Sequence, residues 1–244
     1  TLAINRPKAK NAIYGELYLW IAKALDEADQ NNEVRSVILR GLENDFTAGN
    51  DMQDFLQSSQ KPLTTKAGDA PPFVLLKSAA QFSKPLIAAI RGVAIGIGVT
   101  ILLHVDLVYS DNTALFQIPF VTLGLSPEGA ASKLLIQQAG YHKAAELLFT
   151  AQKFNAEKAV AAGLVNEIVE DVYTHVDAQA KYLASLPLAS LKQTKALIKH
   201  NLNEIIECID HEAEIFMDRV GSPEMMEAVA AFMQKRKPDF SQFN

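Results

Sequence analysis

The chain has 244 residues, 49% hydrophobic and 21% charged, with a formal net charge of −5. That size and mix allow one domain with a large core, and the negative balance argues against broad nucleic-acid binding. The single cysteine, Cys208, excludes an internal disulfide and fits a reducing compartment; no apolar run approaches the roughly 20 residues of a membrane span, and no signal peptide is visible.

Thr1 to Asn5 alternates like the end of a strand, so the natural start is expected upstream. Tyr14 to Asn31 is helical, with Leu17, Ile21, Ala24, Leu25 and Ala28 on one face. Trp20, the lone tryptophan, is expected in the core. Val37, Ile38 and Leu39 mark a short buried strand within Val34 to Gly41. Asn44 to Asp51 reads as a loop, and Met52 to Gln57 as the start of a short helix. Ser58 to Pro72, rich in Ser, Thr, Lys, Gly and Pro, is expected to be a mobile surface segment. Phe73 to Phe82 is helical. Leu86 to Ile90 is an apolar strand, followed by a turn spaced by Gly92, Gly96 and Gly98, an apolar segment Val99 to Leu103, and a second short strand Leu107 to Tyr109. Pro119, Gly124, Pro127 and Gly129 punctuate a loop that carries one carboxylate, Glu128.

Helices are expected at Leu134 to Gln138, Tyr141 to Thr150 and Asn155 to Ala162, the last stopped by Gly163. After a strand-like run, Val165 to Val169, helices follow at Asp171 to Ala184, Leu188 to Asn201 and Leu202 to Val220. A last helix, Glu224 to Gln234, opens on Ser222-Pro223. Strands alternating with helices, then helices alone, indicate an α/β core with an α-helical C-terminal part.

Gly92, Gly96 and Gly98 do not have the spacing of the dinucleotide fingerprint, and no Lys-Ser/Thr follows them. By themselves they read as close packing of a helix start against a sheet. No G-x-S-x-G is present, and Cys208 falls in a helical pattern, buried rather than reactive. The histidines His104, His142, His175, His200 and His211 share no metal-ligand spacing, so no metal site is expected.

Several motifs in order carry a resemblance. Asn5-Arg6-Pro7 through Asn11-Ala12, Phe46-Thr47-Ala48-Gly49-Asn50-Asp51-Met52, Lys84-Pro85, the glycine turn, Asp106 and Ala162-Gly163-Leu164-Val165 together resemble the enoyl-CoA hydratase/isomerase (crotonase) superfamily. The Gly49-Asn50-Asp51 form and the Ser126-Pro127-Glu128-Gly129 loop are most similar to its Δ3,Δ2-enoyl-CoA isomerase branch. The resemblance implies an α/β, crotonase-like (ββα)n spiral core over residues 1–187 and an α-helical trimerisation region over 188–244. It also implies an acyl-CoA thioester substrate, no cofactor beyond that coenzyme A, and a cytoplasmic, bacterial homotrimer or hexamer without nucleic-acid or membrane partners. The apolar face of Ile205, Ile209, Ala213 and Phe216 fits a subunit interface, and core packing explains it equally well.

By the same resemblance, the backbone N–H groups of Asn50 and Ile97 form an oxyanion site for a thioester enolate, where losing one donor costs about 3 kcal/mol. Read alone, Ala48 to Met52 is a plain turn before an Asp-capped helix; within the ordered motif set it is the site. The hydratases use two glutamates, and the matching positions here are Thr100 and Phe120, neither of which can serve as a general base. Glu128 resembles the single glutamate of the isomerases, although Ser126-Pro127-Glu128 is also good helix-start sequence. Walls from Phe120, Val121, Leu123 and Leu125 would raise its pKa toward the working pH. Ala48, Gly49, Asn50, Asp51, Met52, Ile97, Phe120 and Leu125 are the expected substrate contacts, with the segment near Ser58 to Pro72 bordering the acyl pocket. Lys8, Lys10, Lys235, Arg236 and Lys237 are candidate partners for the phosphates of coenzyme A, or plain solvated cations. Another acyl-CoA reaction on this fold, including hydration or ring isomerisation, and a non-catalytic acyl-CoA binder are the alternatives.

Overall fold

Leu86–Ile90 is entirely apolar, and all five of its residues have zero exposure, which makes it the centre of a sheet covered on both faces. The computed structural model describes residues 1–59 and 65–243. In chain order the first half contains β1 (Leu2–Ile4), α1 (Gly15–Gln30), β2 (Val37–Gly41), α2 (Met52–Ser59), α3 (Pro71–Gln81), β3 (Leu86–Ile90), β4 (Val93–Ile95), α4 (Ile97–Thr100), β5 (Leu107–Ser110) and β6 (Leu115–Gln117). The second half contains α5 (Ala131–Ala139), α6 (Tyr141–Thr150), β7 (Phe154–Asn155), α7 (Ala156–Ala161), β8 (Glu167–Ile168), α8 (Val172–Ser185), α9 (Leu188–Ile198), α10 (Leu202–Arg219) and α11 (Pro223–Met233).

One sheet has the order β1-β2-β3-β5-β8, with every pair parallel. A second sheet has the order β4-β6-β7, with β4 and β6 parallel. The chain steps from β3 into β4, and again from β5 into β6, changing sheet each time. Successive strand pairs thus wind one spiral over two sheets, the expected (ββα)n architecture, with α9 to α11 closing the chain. Among the described residues no helix is long and apolar enough to cross a membrane.

Three expectations are corrected. Trp20 is 73% exposed, because it lies roughly opposite the stripe of Tyr18, Ile21, Ala22 and Leu25 that α1 buries. The glycine turn contains a strand, β4, and two further short strands, β6 and β7, complete its sheet. Finally, the segment from Ser58 to Pro72 is not simply surface: Gly68 is buried in a 3-10 turn, and Lys77 bridges Asp69 (3.9 Å) and Asp210 of α10 (2.9 Å). Residues 60–64 of that segment lie outside the described residues.

The apolar face of α10 is turned inward. Ile205, Ile209, Ala213 and Phe216 are buried in the chain's own main core. A polar joint anchors the preceding helix: Lys195 of α9 donates to Asp106 (2.6 Å) and to the carbonyl of Lys84 (2.8 Å). Asp106 in turn accepts the amide of Leu86 at the start of β3 (2.8 Å).

Candidate active site

Two backbone segments leave a parallel bridge side by side. Thr47 pairs with Ala94, and three residues further along each segment stand Asn50, in the loop, and Ile97, the first residue of α4. Neither of these two amides has an acceptor among the described residues, whereas the flanking amides are used: Asp51 donates to the carbonyl of Ile13 (2.8 Å) and Gly96 to that of Gln117 (2.9 Å). Gly49 makes the close approach possible. Its φ is +82°, and a Cβ there would fall 2.5 Å from the carbonyl oxygen of Ile95.

The N-terminal motif braces this loop. Buried Asn11 donates to the carbonyls of Leu42 (2.9 Å) and Asp45 (2.6 Å), and its own carbonyl accepts the hydroxyl of Thr47 (2.7 Å). Arg6 ion-pairs with Asp51 at 3.0 Å. Asp51 also accepts the amides of Gln53 (3.1 Å) and Asp54 (3.3 Å), so it does cap α2. The Asn50 side chain accepts a hydrogen bond from the hydroxyl of Tyr18.

Glu128 faces the same space. It is 4% exposed and stands ahead of α5, whose first helical residue is Ala131, so the helix-start reading of Ser126-Pro127-Glu128 does not describe it. Its Oε1 accepts the hydroxyl of Thr100 at 2.5 Å, and its Oε2 has no hydrogen-bond partner among the described residues. Burial pushes the carboxyl up to about 8; the Thr100 hydrogen bond opposes this, and the negative charge of Glu212 adds to it.

A cavity of about 760 Å³ connects these parts. Ala48, Gly49, Asn50, Asp51, Met52, Ile97, Phe120, Leu125 and Glu128 all line it. Leu123 lines it too, but Val121 does not and is 37% exposed. Sequence reasoning missed several walls. Phe216 meets Phe55, Phe73 and Phe120 edge-on, with ring centroids 6.3, 5.8 and 6.2 Å away, and all four rings face the cavity. The helical spacing of Phe216 signalled burial without saying against what, and Tyr18 gave no separate signal. Of the candidate cations, Lys10 lines the cavity, joined by Lys153, which was not anticipated. Lys8, Lys235, Arg236 and Lys237 do not, and Arg236 is engaged by Glu227 of α11. Cys208 is half-buried, and burial together with Glu212 pushes its thiol up, away from reactivity. Among the described residues no group of three His, Cys, Asp or Glu side chains is placed to hold a metal ion.

The family model for enoyl-CoA hydratase/isomerase matches residues 1–243. The chain belongs to this family. As a member of the enoyl-CoA hydratase/isomerase family it is 34% identical over 242 residues to human enoyl-CoA delta isomerase 2, covering 96% of this chain and 61% of that protein. The chain thus spans about three fifths of that relative's length. It is 30% identical over 246 residues to the 1,2-epoxyphenylacetyl-CoA isomerase of Escherichia coli K12, covering 99% of this chain and 94% of that one. A solved structure from Acinetobacter baumannii, described as a candidate enoyl-CoA hydratase/isomerase, is 76% identical and superposes with a TM-score of 0.92, covering 95% of this chain and 93% of that one.

Proposed function

We propose that this enzyme is a Δ3,Δ2-enoyl-CoA isomerase that works with one base. The observation that carries the reading is the state of the carboxylates. Three line the cavity among the described residues. Asp51 is held by Arg6, and Asp54 accepts the amide of Gly15 at 2.8 Å. Of these three, Glu128 alone is buried with an oxygen that has no partner, and by resemblance the positions of the hydratases' water-activating glutamates are held here by Thr100 and Phe120.

The thioester oxygen of a 3-enoyl-CoA would accept the amides of Asn50 and Ile97. Oε2 of Glu128 takes the proton from C2: the C2–H bond breaks, an O–H bond forms, and the electron pair spreads through a dienolate onto the thioester oxygen. The same O–H bond then breaks as C4–H forms, leaving trans-2-enoyl-CoA. A carboxyl held near 8 suits both halves, because it is a strong enough base for the first and a ready acid for the second. The backbone around Ala48 to Met52 would hold the adenine and pantetheine, Lys10 and Lys153 the phosphates at the mouth, and the aromatic walls the acyl chain. The named activity of the human relative supports this choice over the family's other reactions. The E. coli relative and the four rings favour, as a second reading, isomerisation of an aryl-acetyl-CoA epoxide.

A paired assay tests the proposal. The protein is given trans-3-hexenoyl-CoA while the conjugated thioester is followed in the ultraviolet, and separately crotonyl-CoA while that absorbance is followed for loss. Conjugation without hydration is expected. Rapid hydration of crotonyl-CoA, or silence toward the 3-enoyl substrate, overturns the reading.

A further inference from the structure

A carboxylate has two equivalent oxygens, and a proton shuttle between two carbons works through whichever of them has no other partner. Around Glu128 the two are made different. Thr100 is fully buried and directs its hydroxyl at Oε1, leaving Oε2 as the oxygen without a partner. We propose that Thr100 is the positioning residue of the base: its hydroxyl holds Oε1 and so leaves Oε2 to carry the proton. This inference rests on the isomerase reading.

The tether is stiff at both ends. Threonine is branched at Cβ, which restricts its side-chain rotation, and Thr100 closes α4, the helix that begins with Ile97. Glu128 is followed by Gly129 at φ +76°, where a Cβ would come within 3.2 Å of the Thr100 Cβ. One helical turn on from Thr100, His104 donates to the carbonyl of Gly129 at 2.9 Å. The eight residues from Ile97 to His104 therefore carry one oxyanion donor and both attachments of the base. The distance between the enolate oxygen and the proton carrier is set within one rigid piece of backbone.

No other neighbour can substitute. Tyr18 of α1 and Glu212 of α10 are the other titratable groups that act on Glu128 or are acted on by it. The Tyr18 hydroxyl is given to Asn50, and Glu212 accepts the amide of Ser132 at 2.9 Å. Among the described residues Thr100 is the sole hydrogen-bond donor to Glu128. Its effect is also directional in charge: a hydroxyl given to the carboxylate favours the ionised, basic form against the burial that opposes it.

The test compares Thr100→Val, which keeps the shape and removes the hydroxyl, with Thr100→Ser, which keeps the hydroxyl. Thr100→Val removes a hydrogen bond to a charged group and is expected to lower kcat by about 10- to 100-fold with little change in KM. The pH at which activity is half-maximal is expected near 8 in the parent and higher in Thr100→Val. Thr100→Ser is expected to recover most of both. The carboxyl stretch of Glu128, isolated as an infrared difference against Glu128→Gln, reports the same titration without substrate. A rise of its midpoint in Thr100→Val supports the tether even if the isomerase assay is silent, in which case only the reaction assignment fails. An unchanged midpoint together with an unchanged kcat overturns the inference. So does a Thr100→Ser variant as impaired as Thr100→Val, since that would assign the effect to the lost methyl packing.

Discussion

The imidazole Nε2 of His104 and the carbonyl oxygen of Gly129 lie 2.9 Å apart, one residue beyond the buried carboxylate. A carbonyl only accepts, so Nε2 bears the proton. Burial, helped by the positive charge of Lys199, lowers the His104 pKa to about 3, and the ring is neutral at neutral pH. The unfolded chain binds this proton near 6.5 and the folded chain only near 3, so the stability that the neutral ring contributes is full above 6.5 and falls as pH drops toward 3. The slope from one such group approaches about 1.4 kcal/mol per pH unit. His104→Gln keeps a donor for Gly129 and does not titrate. Its denaturant midpoint, followed from pH 7 to pH 5, is expected to fall less steeply than that of the parent; parallel curves would show that His104 is not held neutral.

Glu128 has the opposite sign. Its folded value near 8 is raised above the ordinary 4.5, so its contribution to stability is present below 4.5 and is lost as pH rises through 8. Glu128→Gln retains an acceptor for Thr100 and never ionises. The variant is expected to melt at a higher temperature than the parent at pH 8, with the difference shrinking at pH 5, while losing about 10²- to 10⁴-fold in turnover. In the parent, kcat/KM is expected to climb from pH 6, pass half its maximum near 8 and level off about one unit higher. A pH profile flat from 6 to 9, or a glutamine variant with full turnover, would remove Glu128 from the chemistry.

Gly49 sets the amide of Asn50. Its φ of +82° disfavours any side chain, and a Cβ would overlap the Ile95 carbonyl oxygen at 2.5 Å. Gly49→Ala must push the loop off β4 and misplace one of the two free amides. The expected loss is about 10²- to 10³-fold in kcat, the effect of removing one oxyanion donor. Gly140→Ala is the control: its φ is +78°, nothing lies within 4 Å of its Cβ position, and it is not part of the cavity wall. It is expected to lower the melting temperature and leave kcat alone. Equal kcat losses in the two variants would mean that general strain, not the amide, is being measured.

How much of this was legible beforehand depended on whether a residue's role is local. Leu86–Ile90 is a continuous apolar run, and it forms the strand over those bounds. Glu128 and the loop from Ala48 to Met52 were found through motifs in order, and they do face one cavity. The strands β4, β6 and β7 were not found, since two or three residues carry too little alternation and β4 sits between glycines that read as a turn. Bulk and apolarity point Trp20 to the core, but its angular position on α1 puts it on the side away from the buried stripe. In the sequence Thr100 shows only that a glutamate is absent; its bond to a residue 28 positions away is tertiary information. The same holds for Phe216, because the face of a helix that packs a core and the face that walls a cavity have one and the same spacing.

Phe216 therefore merits its own experiment. Its ring is buried on α10 and touches Phe55, Phe73 and Phe120 edge-on, so it is the hub of the cavity's aromatic wall. Truncating a buried phenylalanine removes about 3–5 kcal/mol of stability, part of it through the void left behind. Here the void would join a cavity that already exists, and an apolar chain can enter it. Each methylene moved from water into such a space is worth about 0.8 kcal/mol, or roughly fourfold in affinity. The dissociation constants of saturated acyl-CoAs from four to twelve carbons, measured for the parent, Phe216→Leu and Phe216→Ala, are expected to show the preferred length moving to longer chains in that order. The short chains should lose affinity while the long ones gain it, even as both variants melt earlier. If all lengths weaken by one common factor, the ring supports the fold without bounding the acyl chain, and the limit on chain length must be sought at Phe55 or Phe73 instead.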